Sequence, residues 1–345
     1  MKTISDFDFQ NKRVLLRCDF QVPLDERGNI LDDFKIKATL PTIEYLAKNK
    51  AKVVLMSHWK PAESQKKAES LILILPKIEE FLKKEVKFLA DCIGEKTEEE
   101  IEKMRPGEIV LLENLRSHKE EELNDDGFAK QLAKLGDIYI NDAFGASHRP
   151  HASLIGVPKY LLHGAGLLLA KEMQALKKIM DNPGKPLVCI VGGAKVETKT
   201  SAIDEISKNA DSVLIGGLIA CEIKKKNINF ANPRKIIFPI EDVCAFDINE
   251  RTVNLFKKKI KTAKTIFWTG PLGKVEKDEF QRGTLTVAQA VIESGAYSLA
   301  GGGETVWFLG KSGLLDKFSH VSTGGGAMLA YLAGEKLPGL EALEN

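Results

Sequence analysis

Along most of this chain, short apolar runs alternate with longer stretches in which apolar residues return every three or four positions. The first pattern is that of strands buried on both faces and the second that of amphipathic helices; their alternation marks parallel βαβ units. In the N-terminal half the strand-like runs are Val14-Leu15-Leu16, Val53-Val54-Leu55-Met56, Lys87-Phe88-Leu89, Ile109-Val110-Leu111-Leu112 and Ile138-Tyr139-Ile140. Helices are predicted over 42–50, 70–84, 97–104 and 126–135. In the C-terminal half, five runs stop abruptly in glycine. Leu187-Val188-Cys189-Ile190-Val191 precedes Gly192-Gly193, Ser212-Val213-Leu214-Ile215 precedes Gly216-Gly217, and Thr265-Ile266-Phe267-Trp268 leads to Gly270-Pro271-Leu272-Gly273. Tyr297-Ser298-Leu299-Ala300 precedes Gly301-Gly302-Gly303, and Val321-Ser322-Thr323 precedes Gly324-Gly325-Gly326. Glycine lets backbone N–H groups approach a ligand, and a following helix turns its positive end toward anions. Several such turns on one edge of a parallel sheet predict a nucleotide-phosphate site.

The N-terminal runs end differently. Arg17, His58, Arg116 and Arg149 follow or close them, so this half offers point charges and guanidinium forks to a small anion. A length of 345 residues is too great for one ordinary core and predicts two domains. The segment 167–180 has helical spacing and is stopped by Asn182-Pro183-Gly184, which reads as a helix linking the two. The domains are therefore expected at 1–165 and 183–326, with the linking helix at 166–182. With 43% hydrophobic and 28% charged residues and a net charge of +2, the composition is that of a soluble globular protein and argues against nucleic-acid or membrane partners. No apolar run approaches the roughly 18 residues that a membrane span needs, and Asp6 and Asp8 fall where a signal peptide would be apolar. The scattered Cys18, Cys92, Cys189, Cys221 and Cys244 are expected to be reduced core residues of a cytoplasmic protein.

Chemistry enters at Gly192-Gly193-Ala194-Lys195-Val196-Glu197-Thr198-Lys199. If a helix follows the glycines, Lys195 and Lys199 share one face and reach toward one phosphate. A lone G-G-x-K is weak evidence, and the spacing is not that of a Walker loop. The blocks Glu98-Glu99-Glu100, Glu120-Glu121-Glu122, Lys224-Lys225-Lys226 and Lys257-Lys258-Lys259 read as solvated helix faces. Trp59, Trp268 and Trp307 read as packing residues, and His163 and His320 as histidines bonded to backbone. Arg17 either touches ligand or supports Asp19, and Asp19 itself is equally an ion-pair partner for an arginine.

Taken in order, a set of blocks resembles the phosphoglycerate kinase family along nearly the whole chain. They are Leu16-Arg17-Cys18-Asp19-Phe20-Gln21-Val22-Pro23, Leu40-Pro41-Thr42-Ile43, Leu55-Met56-Ser57-His58 and Leu111-Leu112-Glu113-Asn114-Leu115-Arg116. Asn141-Asp142-Ala143-Phe144-Gly145-Ala146-Ser147-His148-Arg149 follows, then Gly192-Gly193-Ala194-Lys195-Val196, Gly270-Pro271-Leu272-Gly273, Gly301-Gly302-Gly303-Glu304-Thr305 and Ser322-Thr323-Gly324-Gly325-Gly326-Ala327. The resemblance implies an α/β protein of two Rossmann-like domains, parallel sheets sandwiched by helices, joined by an interdomain helix and hinge. It also implies that 327–345 packs back toward the N-terminal domain, and that the protein works as a monomer.

The implied reaction is reversible phosphoryl transfer between 1,3-bisphosphoglycerate and ADP, giving 3-phosphoglycerate and ATP, with magnesium carried on the nucleotide. Carried over by motif, Asp19, Gln21, Lys35, His58, Lys60, Arg116 and Arg149 would bind the phosphoglycerate. Gly193, Ala194, Lys195, Lys199, Gly217, Gly270, Pro271, Glu276, Gly302, Gly303, Glu304 and Thr305 would bind the nucleotide, with Glu304 toward magnesium. Lys35, Lys195, Lys199, Gly325 and Gly326 would act on the transferring group. The chain also departs from the family pattern. Gln21 stands where Asn is usual, Lys35 where Arg is usual, Glu304 for Asp, Leu218 for a third glycine and Thr269 for Asn, while Met56-Ser57-His58-Trp59-Lys60-Pro61 is one residue short. The connection over 238–248 is also shortened. These changes leave two alternatives open: a weakened relative serving as a nucleotide-binding regulatory protein, or a kinase for another carboxylic acid.

Overall fold

The computed structural model describes every residue except Glu26, 60–68, Lys195, Glu197, Thr198 and Asn345. The chain divides into two compact units, Met1–Glu172 with Lys336–Asn345, and Met173–Glu335. In the first, β1 (Arg13–Arg17), β2 (Lys52–Met56), β3 (Lys87–Leu89), β4 (Ile109–Leu112), β5 (Ile138–Asn141) and β6 (Leu162–Ala165) form a parallel sheet in the order β3-β4-β2-β1-β5-β6. In the second, β7 (Leu187–Val191), β8 (Ser212–Ile215), β9 (Ile236–Ile237), β10 (Thr265–Thr269), β11 (Tyr297–Gly301) and β12 (His320–Ser322) form another, in the order β12-β11-β10-β7-β8-β9. Strands β4, β5, β7, β8 and β10 are buried along their whole length. Helices cover both faces, so the strands carry unbroken apolar runs instead of alternation.

Helices α1 (Phe34–Lys48), α2 (Leu75–Leu82), α3 (Glu95–Glu102), α4 (Asp126–Ala133) and α5 (Leu167–Met180) serve the first sheet or leave it. The second unit adds α6 (Thr200–Asn209), α7 (Gly217–Lys225), α8 (Glu250–Ile260), α9 (Arg282–Glu293), α10 (Gly303–Lys311) and α11 (Gly325–Leu332); α12 (Pro338–Glu341) follows. Helix α1 begins well ahead of the expected 42–50. Pro41 resembles a start signal, yet it sits exposed inside the helix while Ile36, Thr39, Ile43 and Leu46 continue one buried face through it. The expected helix 70–84 is a 3-10 turn, Leu71–Ile74, followed by α2, which ends at Lys83 in the left-handed region.

The division between units falls inside α5, after Glu172, and 327–335 group with the second unit because α11 packs on α6. Only Lys336–Asn345 group with the first, where the Gly339 amide donates to Ser147 O at 2.9 Å and Leu337, Leu340 and Leu343 are buried. The expectation of five reduced cysteines fails at one pair. Cys221 on α7 and Cys244 in the loop after β9 form a disulfide, because edge strand β9 returns the chain alongside α7. Cys18, Cys92 and Cys189 are buried free thiols.

Parallel strands place all their carboxyl ends on one edge. In each sheet the strand order reverses beside the first strand of the unit, so a switch point opens between β1 and β5 and between β7 and β10.

Candidate active site

In the first unit the strand ends at the switch point are polar and buried. Arg17 closes β1 with its side chain fully enclosed: Nε donates to Ser153 Oγ at 2.8 Å, one terminal nitrogen donates to Cys18 O at 2.5 Å, and the other lies 3.1 Å from His58 Nδ1. A guanidinium only donates, so Nδ1 of His58 accepts and Nε2 carries the ring proton. Burial, then the charges of Arg17, Arg116, Lys35 and Arg149, hold the His58 imidazole well below its ordinary pKa, so the ring is a neutral donor. His151 is likewise lowered to about 4 by burial and then by Arg116, Arg17 and Arg149.

Beside these rings lies Arg116, in the 3-10 turn Leu115–Ser117. Its side chain is buried, and none of its three guanidinium nitrogens has a hydrogen-bond partner among the described residues. Nε lies 3.2 Å from Glu122 without hydrogen-bond geometry. Asn114 fixes this turn: its Oδ1 accepts from the amides of Trp59 and Arg116 at 3.0 Å each, and its Nδ2 donates to Trp59 O. Asn114 thereby ties the altered loop after β2 to the turn that carries Arg116.

Lys35, on α1, is paired with Asp19 at 2.8 Å. Asp19 has a lysine partner, while Arg17 turns away to Ser153 and His58, so neither the arginine pairing nor support of Asp19 by Arg17 is observed. Gln21 is exposed beside Asp19, and Arg149 is half-buried within charge range of His58, Arg116 and His151. Lys60 lies outside the described residues.

Glu121 and Ser153 were not singled out in the sequence. Glu121 accepts from the Ser153 amide at 2.8 Å and from its hydroxyl at 2.5 Å, and it stands 3.8 Å from Arg17. The block 120–122 is thus not a solvated face, since its central carboxylate is fully buried against the arginine network. The acids following Arg116 at close spacing were the available signal.

In the second unit, five adjacent strands, β12, β11, β10, β7 and β8, end in the glycine turns. The turns after β7 and β10 interlock: the Gly192 amide donates to Thr269 O at 2.8 Å and the Gly193 amide to Pro271 O at 2.7 Å. Lys199 reaches back into this knot from the start of α6, with Nζ donating to Gly192 O at 2.5 Å. Gly193 has φ +80, and a Cβ there would lie 2.6 Å from Lys199 Nζ and 3.3 Å from Glu304 Oε2. The ammonium and the exposed Glu304 carboxylate therefore flank one bare stretch of backbone.

Thr305, fully buried, accepts from the Gly270 amide at 2.7 Å and so holds the turn from behind. Helices α7, α10 and α11 start directly after β8, β11 and β12, so their N-termini face the same edge. Gly303 and Gly325, at the first positions of α10 and α11, have nothing within 4 Å of where a Cβ would stand. Ala194 and Gly326 are exposed and Gly302 is half-buried beside them; Gly217 and Pro271 pack against Gly193. Glu276 is exposed beyond the Gly273 turn, and Lys195 lies outside the described residues.

The chain matches the family model described as phosphoglycerate kinase over residues 4–229 and 224–335. It is 41% identical to the phosphoglycerate kinase of Borrelia garinii subsp. bavariensis over 392 aligned positions, covering 100% of both chains. It is 39% identical to that of Aquifex aeolicus, covering 100% of this chain and 98% of the relative. The crystal structure of phosphoglycerate kinase from Pyrococcus horikoshii OT3 superposes with a TM-score of 0.91 at 30% identity, covering 100% of this chain and 98% of the other. A structure of phosphoglycerate kinase from Coxiella burnetii gives 0.83 at 33% identity, covering 99% of this chain and 98% of the other. Alignment over 392 positions exceeds the 345 residues present, so this chain is shortened internally relative to the Borrelia protein.

The fold and these likenesses together define a phosphotransferase built of two parallel α/β units. The chain belongs to the phosphoglycerate kinase family.

Proposed function

We propose that this enzyme acts in glycolysis on phosphoglycerate itself, exchanging a phosphoryl group between 1,3-bisphosphoglycerate and ADP to give 3-phosphoglycerate and ATP. The observation that carries the substrate side is Arg116. A buried guanidinium with no hydrogen-bond partner among the described residues costs several kcal/mol, and an anion removes that cost. A phosphate or carboxylate placed there meets the fork of Arg116, the Nε2–H of neutral His58, and the charges of Arg149 and Lys35. Arg17, Glu121 and Ser153 fix the His58 tautomer without touching substrate.

The acceptor carboxylate is ionised near neutral pH, so the reaction needs no general base. It needs alignment of the reacting oxygens and positive charge around the moving phosphoryl group. In the second unit, Lys199 supplies that charge, and the bare amides at Gly303, Gly325 and Gly326 offer donors to nucleotide phosphates. Glu304 fits magnesium: it is an exposed hard oxygen ligand beside the same backbone, and one carboxylate plus phosphate oxygens is the usual set for this ion. When bound, the ion neutralises phosphate charge. The protein is read as a cytoplasmic monomer; among the described residues no helix is long and apolar enough to cross a membrane.

A coupled assay with 3-phosphoglycerate and magnesium ATP tests this reading, with a panel of other small carboxylic acids run beside it. Turnover on 3-phosphoglycerate that exceeds every other acid is expected. Nucleotide binding with no turnover of any acid would leave a regulatory protein as the better account.

A further inference from the structure

The Cys221–Cys244 disulfide plays no part in the chemistry above, yet it joins two pieces of backbone that both lead to the proposed nucleotide site. Cys221 lies one helical turn along α7 from Gly217, whose own position is wedged against Pro271 O and the Gly193 amide. Cys244 lies in the shortened loop 238–248. Two residues on, Phe246 O accepts from the Lys274 amide at 2.7 Å, and the next residue, Asp247, accepts from the Gly283 amide at 2.8 Å while its carboxylate crowds Gly273. The Phe246 ring also packs against Phe280, with centroids 5.2 Å apart. Lys274, Val275 and Glu276 form the turn that carries the nucleotide residue Glu276. The bond therefore closes a circuit from the N-terminus of α7, through sulfur, to the Gly273–Glu276 turn.

Access to the two sulfurs is unequal. Cys221 is buried and Cys244 is exposed, whereas the free thiols Cys18, Cys92 and Cys189 are all buried. A disulfide with one solvent-facing half is the kind open to thiol exchange, and bonds of this kind in reducing compartments are mostly transient or redox-sensing.

We propose that Cys221–Cys244 is a thiol–disulfide exchange site, reduced by a dithiol partner, that sets nucleotide affinity by clamping α7 to the Gly273–Glu276 turn. The proposal rests on the nucleotide reading of the second unit. A thiolate of the reductant attacks Cys244 Sγ, the sulfur–sulfur bond breaks, and Cys221 leaves as a thiolate that takes up a proton. The second reductant thiol then closes its own disulfide and releases Cys244, which is also protonated. Two electrons and two protons pass to the protein. The bonded form holds both walls of the pocket in place before ligand arrives, and the reduced form must order them on binding, which lowers affinity.

The test is calorimetric titration of full-length protein with ADP, oxidised and dithiol-reduced, the state of each sample fixed by mass-resolved alkylation. The reduced protein should bind ADP about fivefold more weakly, and Cys244→Ser should match the reduced form and ignore reductant. A folded Cys221→Ser variant serves equally should Cys244→Ser not fold. Equal affinities in the two states overturn the switch and leave the nucleotide site standing. ADP binding by neither form sinks both. Finding Cys221 and Cys244 as free thiols in air-equilibrated protein removes the premise.

Discussion

At the scale of the residue, the two units use cations in opposite ways. Arg116 is enclosed with no hydrogen-bond partner among the described residues, only the Glu122 carboxylate at 3.2 Å, while Lys199 is already held to the Gly192 carbonyl and presents its charge to a glycine-walled space. Lys199→Ala is expected to lower turnover by on the order of 10²-fold with the fold intact, because one charge-assisted contact in a water-poor site is worth about that. Steady-state rates paired with circular dichroism check this, and turnover within twofold of the parent would remove Lys199 from the chemistry. A second expectation concerns protons. His58 and His151 both have depressed pKa values, so the folded state resists protonation while the unfolded chain takes up protons below about 6.5. Their contribution to stability is complete above that pH and is lost as pH falls toward about 4 for His151. Asp142, raised to about 7 chiefly by burial, acts with the opposite sign over the same range. Unfolding curves therefore mix the effects, and ring resonances in NMR separate them. His151 should stay neutral on descent from pH 8 to about 5, and an inflection near its ordinary value would contradict the buried cationic setting.

Elements explain how much could be read in advance. Strands buried on both faces announce themselves as unbroken apolar runs, so β1, β2, β4, β5, β7, β8 and β10 were legible in that way, whereas β3, exposed at Lys87, and the polar β12 were legible from the helices and glycines around them. β6 and β9 were not: the first is Leu162-His163-Gly164-Ala165 and the second only two residues long, so neither carries a pattern. Glycine turns were visible as composition, but their division of labour was not. Gly192, Gly193 and Gly270 are required because two turns interpenetrate, whereas Gly303 and Gly325 face open space. The site arginines were legible at the ends of apolar runs and Lys199 behind the Gly192-Gly193 turn, and the motif resemblance then gave them roles; the buried Glu121 was hidden by its acidic neighbours, since charge runs usually mark solvated faces. Gly193→Ala tests the turn. It combines a left-handed φ with a methyl against Lys199 Nζ, and should cost about 1–3 kcal/mol together with most activity. Gly295→Ala, at φ +65 with nothing within 4 Å, carries backbone strain alone and should keep full activity. Equal loss of activity in both variants would mean that the displaced lysine is not the cause.

For the whole molecule, separate cores and separate strand-edge sites imply separate responses. Ile4 through Ile140 supply one apolar cluster and Val188 through Phe318 another, so a ligand of one unit need not stabilise the other directly. In hydrogen exchange, 3-phosphoglycerate should slow amides near Arg116 and His58, and ADP those of the turns at Gly193 and Gly303. Arg149→Ala should abolish the first effect and spare the second; loss of ADP protection in that variant would overturn the assignment of one ligand to each unit.

The order of the chain then has a consequence for biosynthesis. Lys336–Asn345 belong to the first unit, where Gly339 is seated against Ser147 and three leucines are buried, yet the entire second unit separates them from Glu172. On a ribosome making about 5–20 residues per second, the first unit waits roughly ten to thirty seconds for its last piece. During that interval the surface around Ser147 stands bare in the nascent chain, and the half of the protein translated first is the half completed last.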